Sequence, residues 1–319
     1  VNGYGITVDS TIYDVLVNDA DRLAIFQKFS TLNDNLDIIT LKQLMSMNGG
    51  FRHYGALDEY LWEPDTDSEV SILEQYLSLF GDDELYCEPG TCYKYSSFGY
   101  YIVAELVDVL SDVDFYTFLK TKIFDELGLT LSGDMNTVER TTYASQYKRV
   151  CEQIDRSYKF TADCELNDTY SDIGYDEIVY YKKGAGNVLS TSLEFAIYVD
   201  DAVWNRNGLL SDELHTAQFS GHTYNRGISP KDDWYGYGWH MYGETDPNII
   251  WHTGGAVGGI TIVRVTKDIG LVVTIFCDIQ SQSAGIYSML RATEAYFGEG
   301  WTAPTTTTDG ESTAFGKPC

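Results

Sequence analysis

Positive charge is scarce in this sequence. Its 319 residues include 21 Lys and Arg but 48 Asp and Glu, which gives a formal net charge of −27 at pH 7. A surface this acidic repels the phosphates of nucleic acids and the anionic headgroups of membranes, so neither is an expected partner. Net charge of one sign keeps a protein dispersed, and we interpret the acidity in that way rather than as a sign of function.

Long apolar runs are also missing. No stretch approaches the roughly 20 residues that a membrane-spanning helix needs, and no internal repeat is visible. The sequence begins at Val1 with neither an initiator Met nor a signal peptide, so we expect it to be a processed form. With 44% hydrophobic residues, the chain can still bury a substantial core.

The patterning predicts one domain over residues 1–301, followed by a Thr-rich tail of low complexity over 302–319. Within the domain, a helical and loop-rich part covers about 14–234, and a C-terminal sheet with a last helix covers 235–298. This order of elements predicts an α+β fold, in which helices flank an antiparallel sheet.

Capping signals and apolar periodicity locate the helices. Thr40 caps a short helix, Asp114 caps a longer one that ends at Gly128, and Thr191 with Glu194 forms a capping box. Apolar residues at helical spacing predict two more helices, over 97–110 and 284–297. Residues 52–94 are interpreted as loop-rich, and the polar residues 130–183 as a lid or insertion around a site.

The strands are predicted near the C-terminus. Alternating or β-branched runs indicate strands over 235–242, 249–253, 259–266 and 270–277. Lys267-Asp268-Ile269 joins the last two as a hairpin-like turn.

Six cysteines suggest disulfides and an oxidising compartment. Cys87 and Cys92 flank the turn signal Glu88-Pro89-Gly90 and can bridge each other. The remaining candidates are Cys151 with Cys164, and Cys277 with Cys319, although Cys319 could instead tether another chain. Asn167-Asp168-Thr169 is a glycosylation acceptor in a secreted protein, so we expect secretion.

No cofactor or metal is expected. None of the cysteine spacings matches a zinc site. Two runs of acidic and amide residues, at 33–37 and 65–69, lack the Gly and the distal Glu of a calcium-binding loop. Four histidines also lack metal-ligand spacing and are expected to be ordinary: His53, His215, His222 and His240.

Two short segments carry the functional signal. Tyr95-Ser96-Ser97 opens a predicted helix, and Trp251-His252-Thr253-Gly254-Gly255 lies far downstream between β-branched runs. In this order they resemble two of the three signatures of the penicillin-recognising serine hydrolases, which include class C β-lactamases, DD-peptidases and related esterases. Three further segments resemble the family in the same order: Ile39 to Leu44, Gly184 to Thr191, and Tyr237-Gly238-Trp239.

The resemblance implies a β-lactamase/transpeptidase-like fold and a role for each matched residue. Tyr95 corresponds to the proton relay, and His252 to the contact with substrate or transition state. The backbone N–H of Gly255 corresponds to an oxyanion donor. Thr253 and Gly254 complete the strand motif on the substrate side. Ser97 stands where the family has Asn, so it keeps a hydroxyl but loses the paired donor and acceptor of an amide.

The third signature, Ser-x-x-Lys, supplies the nucleophile in the family. Ser145-Gln146-Tyr147-Lys148 fits it, but it follows Tyr95 and has no helical apolar face, so we interpret it as coincidence. We therefore expect the nucleophile helix and the first strands of the sheet to be absent from this chain and to lie upstream of Val1.

Two explanations stay open. An N-terminal fragment of the same precursor can dock against this chain and complete a serine hydrolase that acts on a small ester, amide or peptide through an acyl-enzyme. Alternatively, the chain is a non-catalytic pseudoenzyme with a binding or structural extracellular role. In either case the exposed sheet must be covered, by the fragment or by self-association.

Overall fold

The computed structural model describes residues 5–54, 62, 64–130, 132–134, 147–149, 170–172, 183–186, 188–225, 233–256, 259–277 and 287–293. Asn167 and three of the cysteines, Cys151, Cys164 and Cys319, lie outside these residues, as does the tail. No helix in the described ranges is long and apolar enough to cross a membrane.

Short capped helices form the first part of the chain. Thr11, Thr40 and Ser71 accept hydrogen bonds from backbone N–H groups of the first turns of the helices that they precede. Thr40 and Gln43 form a complete capping box. The helices are α1 (Ile12–Leu16), α2 (Ala20–Phe26), α3 (Ser30–Asn35), α4 (Leu41–Met45) and α5 (Ile72–Leu77).

The long helix α6 (Ser97–Ser111) runs through this region. The Ser96 side chain caps it by accepting from the Gly99 N–H, and the helix begins at Ser97, as predicted. Its buried residues pack with α1 to α5 in one aromatic-rich core, which includes Phe26, Tyr76, Phe80, Phe98 and Ile102. This core holds the first turn of α6 in a fixed position.

Asp114 caps the next helix, as predicted, but α7 is short (Phe115–Leu119) and continues as a π-helical turn over Lys120–Phe124. Gly128 then adopts a positive φ of 69° after the last turn. The Thr191 hydroxyl caps α8 (Ser192–Trp204), while the Glu194 carboxylate accepts a hydrogen bond from Ser132 Oγ at 2.7 Å. The remaining helices are α9 (Asp212–Gln218) and α10, residues 287–293.

Six antiparallel strands form the main sheet. Two small two-stranded sheets pair β1 (Gly133–Asp134) with β4 (Val188–Leu189), and β2 (Tyr147–Arg149) with β3 (Tyr170–Asp172). The main sheet has the order β10-β9-β8-β7-β6-β5. Its members are β5 (Thr223–Tyr224), β6 (Asp233–Tyr235), β7 (His240–Tyr242), β8 (Ile249–Ala256), β9 (Gly259–Thr266) and β10 (Leu271–Cys277).

Helices cover both faces of this sheet. On one face, Val199 and Val203 of α8 pack with Ile250, Val263 and Val265. On the other, Leu290 of α10 packs with a cluster that includes Ile260, Ile262 and Val273. The prediction of an α+β fold with a flanked antiparallel sheet is thus confirmed.

Two predictions about local structure are wrong. Residues 235–242 form two strands rather than one, because the chain reverses at Gly236 to Trp239, where Gly238 has a φ of 83° and the Gly236 N–H donates to the Trp239 carbonyl. The capping box predicted at Thr191 and Glu194 is incomplete, because the Glu194 carboxylate accepts from Ser132 Oγ instead of from the Thr191 N–H. The described part of 52–94 is loop-rich, as predicted, and contains the short helix α5.

Candidate active site

The two signature segments meet where the helical core borders the sheet. Tyr95 lies two residues before α6, and His252 lies in the middle of β8. Their ring centroids are 6.2 Å apart. The juxtaposition of phenol and imidazole that the resemblance predicts is therefore present in the structure.

A disulfide and three backbone hydrogen bonds hold the segment that leads to Tyr95. Cys87 and Cys92 are bridged, as predicted. Backbone N–H groups of Tyr86, Gly90 and Lys94 donate to carbonyls of the segment 47–50. The Ser96 hydroxyl also donates to the Arg52 carbonyl at 2.8 Å. Tyr95 therefore follows a loop whose backbone is held in place by the disulfide and by hydrogen bonds.

Both ring nitrogens of His252 are engaged. Nδ1 lies 2.8 Å from the Thr253 carbonyl oxygen, which can only accept, so Nδ1 carries the proton. In the neutral ring, Nε2 then accepts from the Tyr235 hydroxyl at 3.0 Å. Burial and the nearby His240 lower the pKa of His252 to about 4. The ring is therefore neutral at pH 7 and held in one tautomer.

Tyrosines surround this imidazole. Tyr235 is 1% exposed, and burial raises its pKa, as it does those of Tyr93 and Tyr100. The Tyr100 hydroxyl donates to the Met45 carbonyl at 2.6 Å, and the Tyr93 ring lies 5.7 Å from that of Tyr235. The Tyr100 bond joins α6 to α4, and the Tyr93 contact joins the segment before α6 to strand β6.

Tyr95 is itself a protonated phenol at neutral pH. Burial raises its pKa to about 12, so the phenolate is a minor species. In chemical terms Tyr95 is a proton donor, and it can accept a proton only as it gives one up. This matches a relay better than a permanent base.

The two glycines of the strand motif meet different surroundings. A methyl group at Gly254 would clash with the Thr261 hydroxyl on β9, so the Thr261 side chain would have to turn away to make room for it. At Gly255 an added Cβ would meet no described atom within 4 Å, and the residue is exposed. Strand β7 pairs with β8 only over Ile249–Trp251, so the stretch from His252 to Gly255 borders the site.

Ser97 lies in the first turn of α6 and is 8% exposed. Its backbone N–H points to Nδ1 of His53 at 3.3 Å, and the His53 ring packs edge-on against Tyr95 at 5.3 Å. His53 was expected to be ordinary, yet it lies directly beside the phenol. Nothing in the sequence pattern indicates this contact, because the segment carrying His53 reaches Tyr95 only through the fold.

His240 was also expected to be ordinary. Its ring centroid lies 5.5 Å from that of His252 and stacks on Trp251 at 4.2 Å. A sequence signal existed, since His240 directly follows the Tyr237-Gly238-Trp239 match, but the contact depends on the reversal between β6 and β7.

The structure therefore brings Tyr95, His252 and the Gly254–Gly255 strand segment together and adds Tyr93, Tyr235, His53 and His240 to the cluster. The coincidental motif is not on a helix, because Lys148 lies in β2, while Ser145 is outside the described residues. Cys277 ends β10, and its suggested partner Cys319 is likewise not described.

Comparison with known proteins assigns the family. The beta-lactamase family model matches residues 30–292, so the chain belongs to the beta-lactamase family. It has the antiparallel sheet flanked by helices of the β-lactamase/transpeptidase fold and lies within the β-lactamase-like serine hydrolase superfamily. No curated protein sequence matches the chain significantly.

Solved structures share the fold at low sequence identity. A penicillin-binding protein from Bacillus halodurans has a TM-score of 0.62 at 20% identity, covering 91% of this chain and 84% of its own. A D-amino acid amidase from Ochrobactrum anthropi SV3 has a TM-score of 0.64 at 13% sequence identity, and the match covers 91% of this chain and 86% of the amidase. An octameric penicillin-binding protein homologue from Pyrococcus abyssi has a TM-score of 0.64 at 14% sequence identity, and the match covers 92% of this chain and 66% of the homologue.

Proposed function

We propose that this chain carries the proton relay and the oxyanion strand of an acyl-transfer centre in a secreted serine hydrolase. The 6.2 Å separation of Tyr95 and His252, beside the glycine edge of β8, is the observation that supports this most. Acyl transfer by a serine needs a group that moves protons and donors for the developing oxyanion, and both lie on this border.

The roles follow from the chemistry of the groups. Tyr95 is a protonated phenol, so it donates its proton to the leaving group while it regains one from the side of the attacking hydroxyl. Gly255 allows a substrate carbonyl to approach the strand, because no described atom occupies the space where its side chain would be.

His252 restricts the substrate. A neutral imidazole makes no ion pair with a carboxylate, so a substrate with a carboxylate beside the scissile bond gains little here. We propose an uncharged ester, an amide or a D-amino-acid peptide as the substrate class. The fold shared with a D-amino acid amidase is compatible with that class.

We further propose that the nucleophile is supplied by a Ser-x-x-Lys segment outside residues 1–319, as a companion fragment of the same precursor. The support is that the motif occurs once in the sequence, at Ser145 to Lys148, and Lys148 lies on a strand instead of a helix. The Cys87–Cys92 disulfide and the acceptor at Asn167 support an oxidising, extracellular location.

One observation favours a second candidate, a non-catalytic binding protein. Both nitrogens of His252 are already bonded, to Tyr235 and to Thr253, so the ring meets a substrate only by giving up one of these bonds. The presence of Ser97 where the family has Asn also favours a non-catalytic binding protein.

Labelling of the native material separates the two. We would treat it with a fluorophosphonate and with a labelled penicillin, then measure intact masses before and after reduction. A label on a serine of a Ser-x-x-Lys segment supports the hydrolase. No label, together with the absence of any companion polypeptide, overturns it in favour of the binding role.

A further inference from the structure

Asp233 is a fully buried carboxylate next to the site. It opens β6, and its side chain has no exposed surface. Asn225 Nδ2 donates to its Oδ2 at 2.9 Å, and its other oxygen, Oδ1, lies 3.5 Å from Nδ1 of His240. Burying a carboxylate is costly unless it is paired, so this pair needs an explanation.

The His240 ring is fixed on three sides. Asp233 faces its Nδ1, the Trp251 ring stacks on it with an interplanar angle of 15°, and the Tyr235 ring meets it edge-to-face at 4.7 Å. Tyr235 in turn directs its hydroxyl to Nε2 of His252. The chain of contacts therefore runs from a buried acid to the imidazole of the strand motif.

We propose that Asp233 and His240 are positioning residues, which hold Tyr235 so that its hydroxyl stays bonded to Nε2 of His252 and the imidazole stays in its Nδ1–H form. Any effect on catalysis rests on the proposed hydrolase function, but the effect on the imidazole does not.

The surroundings support an electrostatic part of this role. Among the described residues, the titratable groups facing His240 are Asp233, Tyr93, Tyr235 and His252, and those facing His252 are Tyr95, Tyr235 and His240. Burial and the nearby His240, whose ring lies 5.5 Å away, lower the pKa of His252. Nε2 of His252 is thereby kept free to accept from Tyr235.

Asp233→Asn gives a sharp test because Asn225 fixes which way the new amide points. Its oxygen replaces Oδ2 as the acceptor for Asn225, so its NH₂ faces Nδ1 of His240 and presents a donor where an acceptor was. Because Nδ1 of His240 lies 3.5 Å from this position, we expect the ring to change its tautomer or turn.

The readout is the ¹⁵N spectrum of the histidine side chains in the full chain. In the wild type we expect His252 to show one protonated Nδ1 and one unprotonated Nε2. In Asp233→Asn we expect this single pattern to be replaced by exchange between tautomers. In a hydrolytically active preparation, kcat falls about tenfold or more while KM changes less than about twofold.

Asp201→Asn is the matched control. Asp201 is a buried acid on α8 that accepts from the backbone N–H and side-chain amide of Asn207, outside this cluster. We expect it to leave the His252 spectrum unchanged. If Asp233→Asn does not fold, His240→Gln is used, with the same expected loss of the single tautomer.

An unchanged His252 spectrum in a folded Asp233 or His240 variant overturns the proposal, whatever happens to stability. If the native protein neither hydrolyses esters nor takes up the serine probes, the hydrolase function fails, and the ¹⁵N result still decides the positioning role on its own.

Discussion

The Tyr235 hydroxyl lies 3.0 Å from Nε2 of His252, and this bond joins β6 to β8 past the end of β7. It is possible because β7 begins at His240, so beyond this residue the side chains of β6 and β8 meet without a strand between them. The imidazole of the strand motif is thereby fixed by a residue that belongs to none of the matched catalytic positions.

This bond bears on how the site would work. A substrate that needs His252 must compete with Tyr235 for Nε2, whereas one that needs only Tyr95 and the glycine edge does not. Turnover of a substrate of the second kind therefore leaves the imidazole bonded as it stands.

The first prediction concerns the phenol. Replacing Tyr95 by Phe removes the only proton-carrying group of that side chain, so hydrolysis by the native complex should fall by about 100-fold or more. The rate of ester hydrolysis measures this. Tyr86→Phe is the control, because Tyr86 is 66% exposed and contacts Lys94 rather than the imidazole, and its rate should stay unchanged. Unchanged turnover in Tyr95→Phe would refute the relay role.

The second prediction concerns pH. The folded pKa of His252 is about 4, below the ordinary value of 6.5, so between these values the unfolded chain binds a proton that the folded chain does not. The contribution of His252 to the free energy of unfolding is complete above pH 6.5 and is lost as the pH falls towards 4. The loss is at most about 3 kcal/mol, because the ring is partly exposed.

His252→Gln isolates that contribution. Urea denaturation of both proteins between pH 7 and 4.5 should show a shallower loss of stability in the variant, since the shared carboxylates contribute equally to each. Identical slopes for the two proteins would contradict the lowered pKa.

The third prediction concerns the strand glycines. Gly254→Ala should cost about 1–3 kcal/mol, because the new methyl group meets the Thr261 hydroxyl. Adding Thr261→Ala should restore most of that loss. Gly255→Ala, whose methyl group meets no described atom within 4 Å, should change the free energy of unfolding by less than about 0.5 kcal/mol. Equal decreases in the free energy of unfolding for the two glycine variants would show that the contact with Thr261 is not the cause of the loss.

The fourth prediction concerns the disulfide. Cys87 and Cys92 are five residues apart, and closing so short a loop should stabilise the fold by about 2 kcal/mol. A double Ser variant should lose that amount in urea denaturation, with faster hydrogen exchange at the Lys94 amide, which bonds to the Met47 carbonyl. Thr91→Ala alters the same loop without breaking the crosslink and should cost less than about 1 kcal/mol. A loss no larger in the double variant than in Thr91→Ala would exclude a stabilising crosslink.

The sequence predicted the elements whose signals are local. Thr40, Asp114 and Thr191 were correctly placed as helix caps, because a cap depends on a side chain and an N–H two or three residues away. The last two strands and the turn over Lys267–Ile269 were also correct, since β-branched runs joined by a short turn leave few alternatives.

The prediction was wrong where one sequence pattern is compatible with two structures. The run over 235–242 alternates well enough for one strand, and only the turn at Gly236 and Gly238 divides it. That division decides the site, because it brings Tyr235 and His240 to paired positions and both of them to His252.

Tyr95 and the strand from His252 to Gly255 are recognisable in the amino-acid sequence as parts of one family pattern, since both are short contiguous motifs in a fixed order. The neutral state of His252, the bonds at both of its nitrogens and its contacts with Tyr95, Tyr235 and His240 follow only from the folded arrangement. Desolvation and ring packing depend on residues from separate strands and loops, and no local pattern records which of them become neighbours.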